Sequence, residues 1–448
     1  MTTASLDISA KPDQTTIPGQ RVANALRVAL VAVMFSLPVC TGTALLHYVF
    51  YLVFFVLFAL TTFFCTRQAG FSLLRELKQT QPLVFFLLLG FALASLISVL
   101  KIMTGDYEQF RQFMAVSRYI FYVIVGMYVF ALVRLCRIFH WRGSDLFIAH
   151  MAGTVLLALL FFLSYRYVDA YGAKWWGIDP PFGRHVRLIG MGAAVAAVTG
   201  MTVFLFRQGG WLAKLLVWSG MLVCNAFLIW TGSRTSLLLV LLFSVALMVI
   251  MVFFRKNILL PLILLAGIAL SFGLASKVSI FPWSGLQRSI KVTTVEVPVK
   301  ALNDEGAIYR VADKLSSGRL AIWGAALDAW KEAPWFGQGP NSTIFVLKYS
   351  NTIDQPHNFI LQFMLEWGVI GAMLLLALLF SLCWISGKKM PAALRNADVE
   401  YLLPVGIVLL LFLNGLTDGP FYHVQTLLCF ATAMAFLPES SRLAGKKL

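Results

Sequence analysis

The stretch QPHNFILQFMLEWGVIGAMLLLALL, Gln355 to Leu379, opens with a histidine and holds a glutamate within an otherwise apolar run. Ionisable groups in a run of that kind are expensive to bury and mark a functional interior. Arginines stand at comparable places elsewhere: Arg234 in WTGSRTSLLLVLL, Arg319 in SSGRLAIWG, and Arg184 and Arg187 in FGRHVRLIGMG. An arginine cluster suits phosphate or diphosphate, because the planar guanidinium fork pairs with two phosphate oxygens at once. A neutral imidazole beside it suits removal of a proton from a hydroxyl. The outer segments hold no Asp-x-Asp pair for a divalent cation. In a diphosphate site, arginines would therefore have to neutralise the leaving group.

Each residue also has a plainer reading. Pro356 suits the first turn of a helix, where its missing N–H is no loss, which sets His357 near that helix's N-terminus. There a hydrogen bond at the membrane surface explains the histidine as well as catalysis does. Asn358, Gln362 and Glu366 follow at i, i+4 and i+8, a polar stripe that must face the bundle interior. His357 and Glu366 would lie ~13 Å apart along the helix and on opposite faces, so they cannot pair, and Glu366 reads as a structural group bonded to a neighbouring span. Arg234 equally suits an anion at a helix N-terminus capped by Thr231 or Ser233, and an arginine snorkelling to the interface.

The elements that must carry these residues are membrane spans. Of 448 residues, 59% are hydrophobic and 12% charged, where a soluble domain is about a quarter charged. Apolar runs of roughly 17–25 residues are long enough to cross a bilayer as helices, and twelve are present, at about 24–42, 44–64, 83–100, 118–134, 146–164, 187–206, 213–231, 235–254, 257–275, 357–386, 401–417 and 422–437. The expected fold is an all-α integral membrane protein with a cytoplasmic tail at 1–23, spans one to nine in 24–275, an outer loop at 276–356, spans ten to twelve in 357–437 and a second cytoplasmic tail at 438–448. Residues Met1 to Gln20 have no signal-peptide pattern and read as a disordered tail. Short inner loops rich in Arg and Lys, such as Arg134, Arg137 and Arg142, give this orientation. The outer segment Ser276 to Pro356 nonetheless holds nine basic residues, either because long translocated loops escape the charge rule or because an anion binds there.

That loop is too long to lack structure. Ser316 or Ser317 can cap a helix through GRLAIWGAALDAWKEAP, with a stripe of Leu320, Trp323, Leu327 and Trp330 lying on the membrane or the span ends. WFGQGPNSTIF then reads as a glycine-rich turn without the lysine of a phosphate-binding loop. A second outer segment, Tyr165 to Arg187, places Trp175 and Trp176 as interfacial anchors or as a sugar platform. The six cysteines lie in or beside spans and form neither a disulfide framework nor a metal site.

GSRTSLLL, SSGRLAIWGAALDAWKEAPWFGQGP and QPHNFILQFMLEWGVIGAMLLL, in that order before and around the tenth span, resemble the O-antigen ligase/polymerase superfamily over about Gly232 to Leu379. The resemblance implies a GT-C-like, inverting, metal-independent glycosyltransferase of the bacterial inner membrane, acting on its periplasmic side without a cofactor. Its donor would be a glycan on undecaprenyl diphosphate and its acceptor the lipid A-core, with membrane lipids and no nucleic acid as further partners. By resemblance, His357 falls at the family's essential loop-end histidine, Arg234 at its membrane-edge arginine and Arg319 at its loop arginine. Arg187 and Arg184 match no motif and join as further diphosphate contacts. Polymerases of this superfamily have two sizeable outer loops and protein oligosaccharyltransferases an extra soluble C-terminal region, which favours the ligase. A twelve-span transporter or flippase is the competing class, but no two-half repeat is visible and the polar groups gather at the outer edge. A cell-envelope scaffold is a third.

Overall fold

The structure, a computed structural model, describes residues 20–39, 53–58, 60, 75, 77–79, 81–168, 186–278, 319–347 and 355–437. Among these there is no strand. The helices are α1 (Gln20–Ser36), α2 (Pro82–Thr104), α3 (Gln109–Phe139), α4 (Gly143–Val168), α5 (Val186–Phe206), α6 (Trp211–Thr231), α7 (Arg234–Arg255), α8 (Leu259–Val278), α9 (Arg319–Lys331), α10 (Thr343–Val346), α11 (Phe359–Gly387), α12 (Met390–Asn396), α13 (Val399–Asn414) and α14 (Val424–Phe436). Eight of them, α2 to α8 and α11, are long and apolar enough to cross a membrane, and α13 and α14 are shorter apolar helices. The protein is a multi-pass membrane protein.

Of the twelve expected spans, ten thus appear as apolar helices. The first is the 17-residue α1, and most of the second lies outside the described residues. So do Ser316, Ser317, Trp175 and Trp176.

α5 is the axis of the bundle, with its apolar stretch Leu188–Phe206 wholly buried. Its sequence, VRLIGMGAAVAAVTGM, explains why: runs of Gly and Ala let neighbouring backbones approach closely, which is how helices associate where no water drives them together. α4, α6, α7 and α13 pack around it, α2 lies along α11, and α14 lies on α3 and α13.

α9 packs on protein through a different face from the expected stripe. Its buried residues are Ile322, Ala326 and Ala329, while Leu327 is exposed and Trp323 and Trp330 are half-buried. Small alanines let α9 settle against Leu347. The two indoles instead act through their N–H groups, Trp330 donating to the Pro334 carbonyl and Trp323 to that of Pro356.

α11 is broken at Gly368, which takes φ 64° and ψ −174°. A break inside a span frees backbone groups that lipid cannot satisfy, so protein must cover them. The turn after α9 does this. Leu365 and Glu366 carbonyls accept from Gln338 and Gly339, and the N–H groups of Val369 and Ile370 donate to Pro334 and Trp335. Ser98 of α2 donates to the Glu366 carbonyl at 2.8 Å. Lys101 and Arg111 hold the turn from the other side through the carbonyls of Gly337 and Gln338.

Candidate active site

His357 does not sit in the first helical turn. Asn358 is the N-cap of α11, its side-chain oxygen accepting from the N–H groups of Ile360 and Leu361. The helix therefore begins at Phe359, and Pro356 and His357 precede it. His357 takes a left-handed backbone, φ 53°, unusual for a residue with a side chain. Both flanks hold it there: Trp323 of α9 donates to the Pro356 carbonyl at 2.9 Å, and Phe359 N–H donates to the Gly415 carbonyl at 2.9 Å.

The imidazole is oriented by Asp418, in the α13–α14 connection, with Nδ1 3.2 Å from Oδ1. Asp418 is 7% exposed and His357 20%. An ionised carboxylate can only accept, so against it Nδ1 carries the hydrogen and Nε2 presents its lone pair. Asp418 is fixed in turn by its own N–H bonded to the Asn414 carbonyl and by Gly419 N–H donating to Oδ1 at 3.0 Å.

The same connection reaches the start of α7. Thr417 donates to Thr235 at 3.0 Å, and Asn414 to Ser236 at 2.7 Å. Arg234, the first residue of α7, is thus next to a threonine bonded to the neighbour of Asp418. The expected capping of α7 does not occur: Thr231 donates back to Leu228, and Ser233 donates to Ser236. No side chain caps the helix and no acid stands in its first turn, an arrangement that leaves N–H groups and dipole available to an anion. Gly190 of α5 permits this turn, because a Cβ there would lie 2.5 Å from that of Ser233.

Arg319, the first residue of α9, lies one turn before Trp323 on the same face. The indole bond to Pro356 therefore brings the Arg319 end of α9 over the His357 loop. Arg184 and the side chain of Arg187 lie outside the described residues. The structure gathers His357, Arg234 and the start of α9 at one end of the bundle.

The stripe on α11 faces inward as expected for Gln362 and Glu366, both fully buried. Glu366 takes its side-chain bond from Gln362 of its own helix at 3.2 Å, and it is the Glu366 carbonyl that meets the neighbouring span through Ser98. Arg118 of α3 acts on it electrostatically. Arg118 is itself buried, stacked on Tyr422 and Tyr122 and bonded to the Tyr422 carbonyl. Tyr422 donates to Asn341 in the turn after α9, and Gln355 lies 3.2 Å from His423. Among the described residues, no three His, Cys, Asp or Glu side chains gather as metal ligands.

Sequence reasoning missed Asp418, and with it Thr417, Gln355 and His423. The one signal for Asp418 was its place in the short turn NGLTDGPFYH at the same end as His357, 61 positions away.

Residues 219–376 match a family described as O-antigen ligase. Over that segment the chain is similar to the O-antigen ligase family. The matched segment contains Arg234, Arg319 and His357, and ends before Asp418. It supports a ligase- or polymerase-type activity in lipopolysaccharide biosynthesis, on polysaccharide and lipid-linked substrates. No curated protein matches the chain.

Proposed function

We propose that the protein is an inverting, metal-independent glycosyltransferase that transfers O-antigen polysaccharide from undecaprenyl diphosphate to a sugar of the lipid A-core, at the periplasmic face of the inner membrane. The observation that carries this reading is His357 held through Nδ1 by the buried Asp418, beside the uncapped start of α7. His357 Nε2 takes the proton of the acceptor hydroxyl as its oxygen attacks the anomeric carbon from the face opposite the diphosphate. The anomeric C–O bond breaks and undecaprenyl diphosphate leaves. Arg234 and Arg319, with Arg187 and Arg184, bind the diphosphate and stabilise the charge that grows on it. Asp418 stabilises the imidazolium.

A lateral crevice supports a lipid-borne donor. A cavity of about 250 Å³ lies between α4, α6 and α8, lined by Phe161, Phe162, Phe227, Trp230, Leu274 and Ala275 among others. Phe162 and Leu274 are exposed at its rim, so it opens on the flank of the bundle. Trp230, on its wall, stands at the end of α6 four residues before Arg234, with only the turn at Gly232 between the two helices.

The test is transfer by purified protein in nanodiscs with excess EDTA, with lipid diphosphate-linked glycan and lipid A-core, followed by gel mobility. Product on lipid A-core is expected from wild type and not from His357→Ala or Arg234→Ala. His357→Gln, which can hydrogen-bond but not take the proton, is expected to be as inactive as His357→Ala. Substantial activity in it would remove the base role. Longer glycan still on its carrier would make the protein a polymerase, and NMR of the new linkage reads inversion directly.

A further inference from the structure

The end of the bundle opposite His357 holds a second cavity, of about 320 Å³. It lies where the α5–α6 turn meets the α7–α8 turn. Its polar lining is Arg207, Gln208, Lys214, Arg255 and Asn257, and Phe254 stands among its apolar residues. We propose that this cavity binds the phosphate of an anionic phospholipid whose acyl chains lie along the neighbouring helices.

The charges around the cavity are unbalanced. Arg207 shares Asp145 with Arg27, at 3.3 and 2.7 Å. Among the described residues no carboxylate pairs with Lys214 or Arg255. Arg255 bonds instead to the carbonyl of Arg395 at 2.8 Å through Nη1, which leaves the other guanidinium N–H groups for an acceptor. α6 starts at Gly210 with no side-chain cap and no acid in its first turn, so its N-terminal dipole adds to the positive field beside Lys214. Arg207 follows the end of α5, Lys214 lies on α6 and Arg255 ends α7, and a phosphate with several acceptor oxygens can meet all three together.

The flanks of the cavity are apolar and point outward. Trp211, Leu212, Phe253, Phe254 and Leu259 are all exposed on the helices that form it, a surface suited to acyl chains rather than to water. This separates a lipid phosphate from a soluble one: the cations recognise the phosphate in both, and only the lipid also covers the flanks. A zwitterionic headgroup would bring an ammonium into a cationic site, so an anionic headgroup is favoured. The inference uses no residue of the His357 end and stands apart from the glycosyltransferase reading.

The experiment is native mass spectrometry of the full-length protein in detergent, titrated with phosphatidylglycerol or phosphatidylethanolamine, with inorganic phosphate and glycerol phosphate as soluble competitors. Wild type should retain one phosphatidylglycerol preferentially. Lys214→Ala/Arg255→Ala should bind it roughly tenfold to thirtyfold more weakly, and Lys388→Ala, a basic residue outside the cavity, should bind as wild type does. A thermal melt of each variant shows that the loss is not unfolding, and Lys214→Gln alone should give an intermediate loss. Equal binding of the two lipids, or undiminished binding in the double variant, overturns the proposal. Displacement by inorganic phosphate at lipid-like concentrations overturns the lipid assignment and makes the cavity a soluble-anion site.

Discussion

At the scale of single residues, the site turns on one hydrogen bond. Asp418 cannot reach substrate in its place and act as a base, because it is buried behind the imidazole; its effect passes through His357. Asp418→Asn keeps the shape and replaces a pure acceptor by an amide that can donate, which permits the wrong tautomer of His357. The expected outcome is a fall in kcat on the order of 10²–10⁴, the range of general acid–base contributions, with little change in donor KM and a thermal melt close to wild type. A fall in KM-dependent binding with kcat preserved would make Asp418 a structural residue only. His357, Arg234 and Arg319 stand out in the sequence as candidates because ionisable residues are conspicuous in apolar surroundings. Asp418 was not, since pairing across 61 positions has no periodic signature and the residue lies beyond the family segment.

At the scale of elements, helices were legible and the break in one of them was not. Residues 357–386 read as one uninterrupted apolar span, and nothing in FMLEWGVIGAM marks Gly368 apart from Gly371. The two differ by what approaches them. A Cβ on Gly368 would lie 2.2 Å from the Trp335 backbone, while one on Gly371 meets only the side chain of Trp367. Gly337, at φ 73°, is matched to the same crossing, 2.5 Å from the Glu366 backbone by the same measure. The glycine-rich WFGQGP is thus a partner for a broken helix rather than a ligand loop. Gly368→Ala should destabilise the fold by at least the roughly 1–3 kcal/mol of a strained backbone, with a further penalty for displacing the turn. Gly371→Ala should be milder. Thermal melts of the two variants in detergent check the order; equal melting temperatures would mean that the backbone contact at Gly368 is not needed.

At the scale of the whole molecule, the multi-pass helical character followed from composition, because only apolar helices of a certain length can cross a bilayer. Which span lies at the centre did not, although the Gly and Ala run of α5 carries the reason. The crevice between α4, α6 and α8 belongs to this scale, since three helices distant in sequence line it. If it guides the isoprenoid of the donor, filling it should discriminate between carriers by tail length. Ala275 is buried on its wall, and Ala275→Phe adds a ring where the tail would pass. The expected result is a rise in donor KM of roughly tenfold, about 1.4 kcal/mol of tail binding, for the full-length carrier, and little change for one with two or three isoprene units. Melting temperature should stay near wild type, because the ring enters a space that is empty of protein. Equal loss for short and long carriers would show that the substitution acts on the bundle and not on the tail, and the lipid would then have to reach Arg234 by another face.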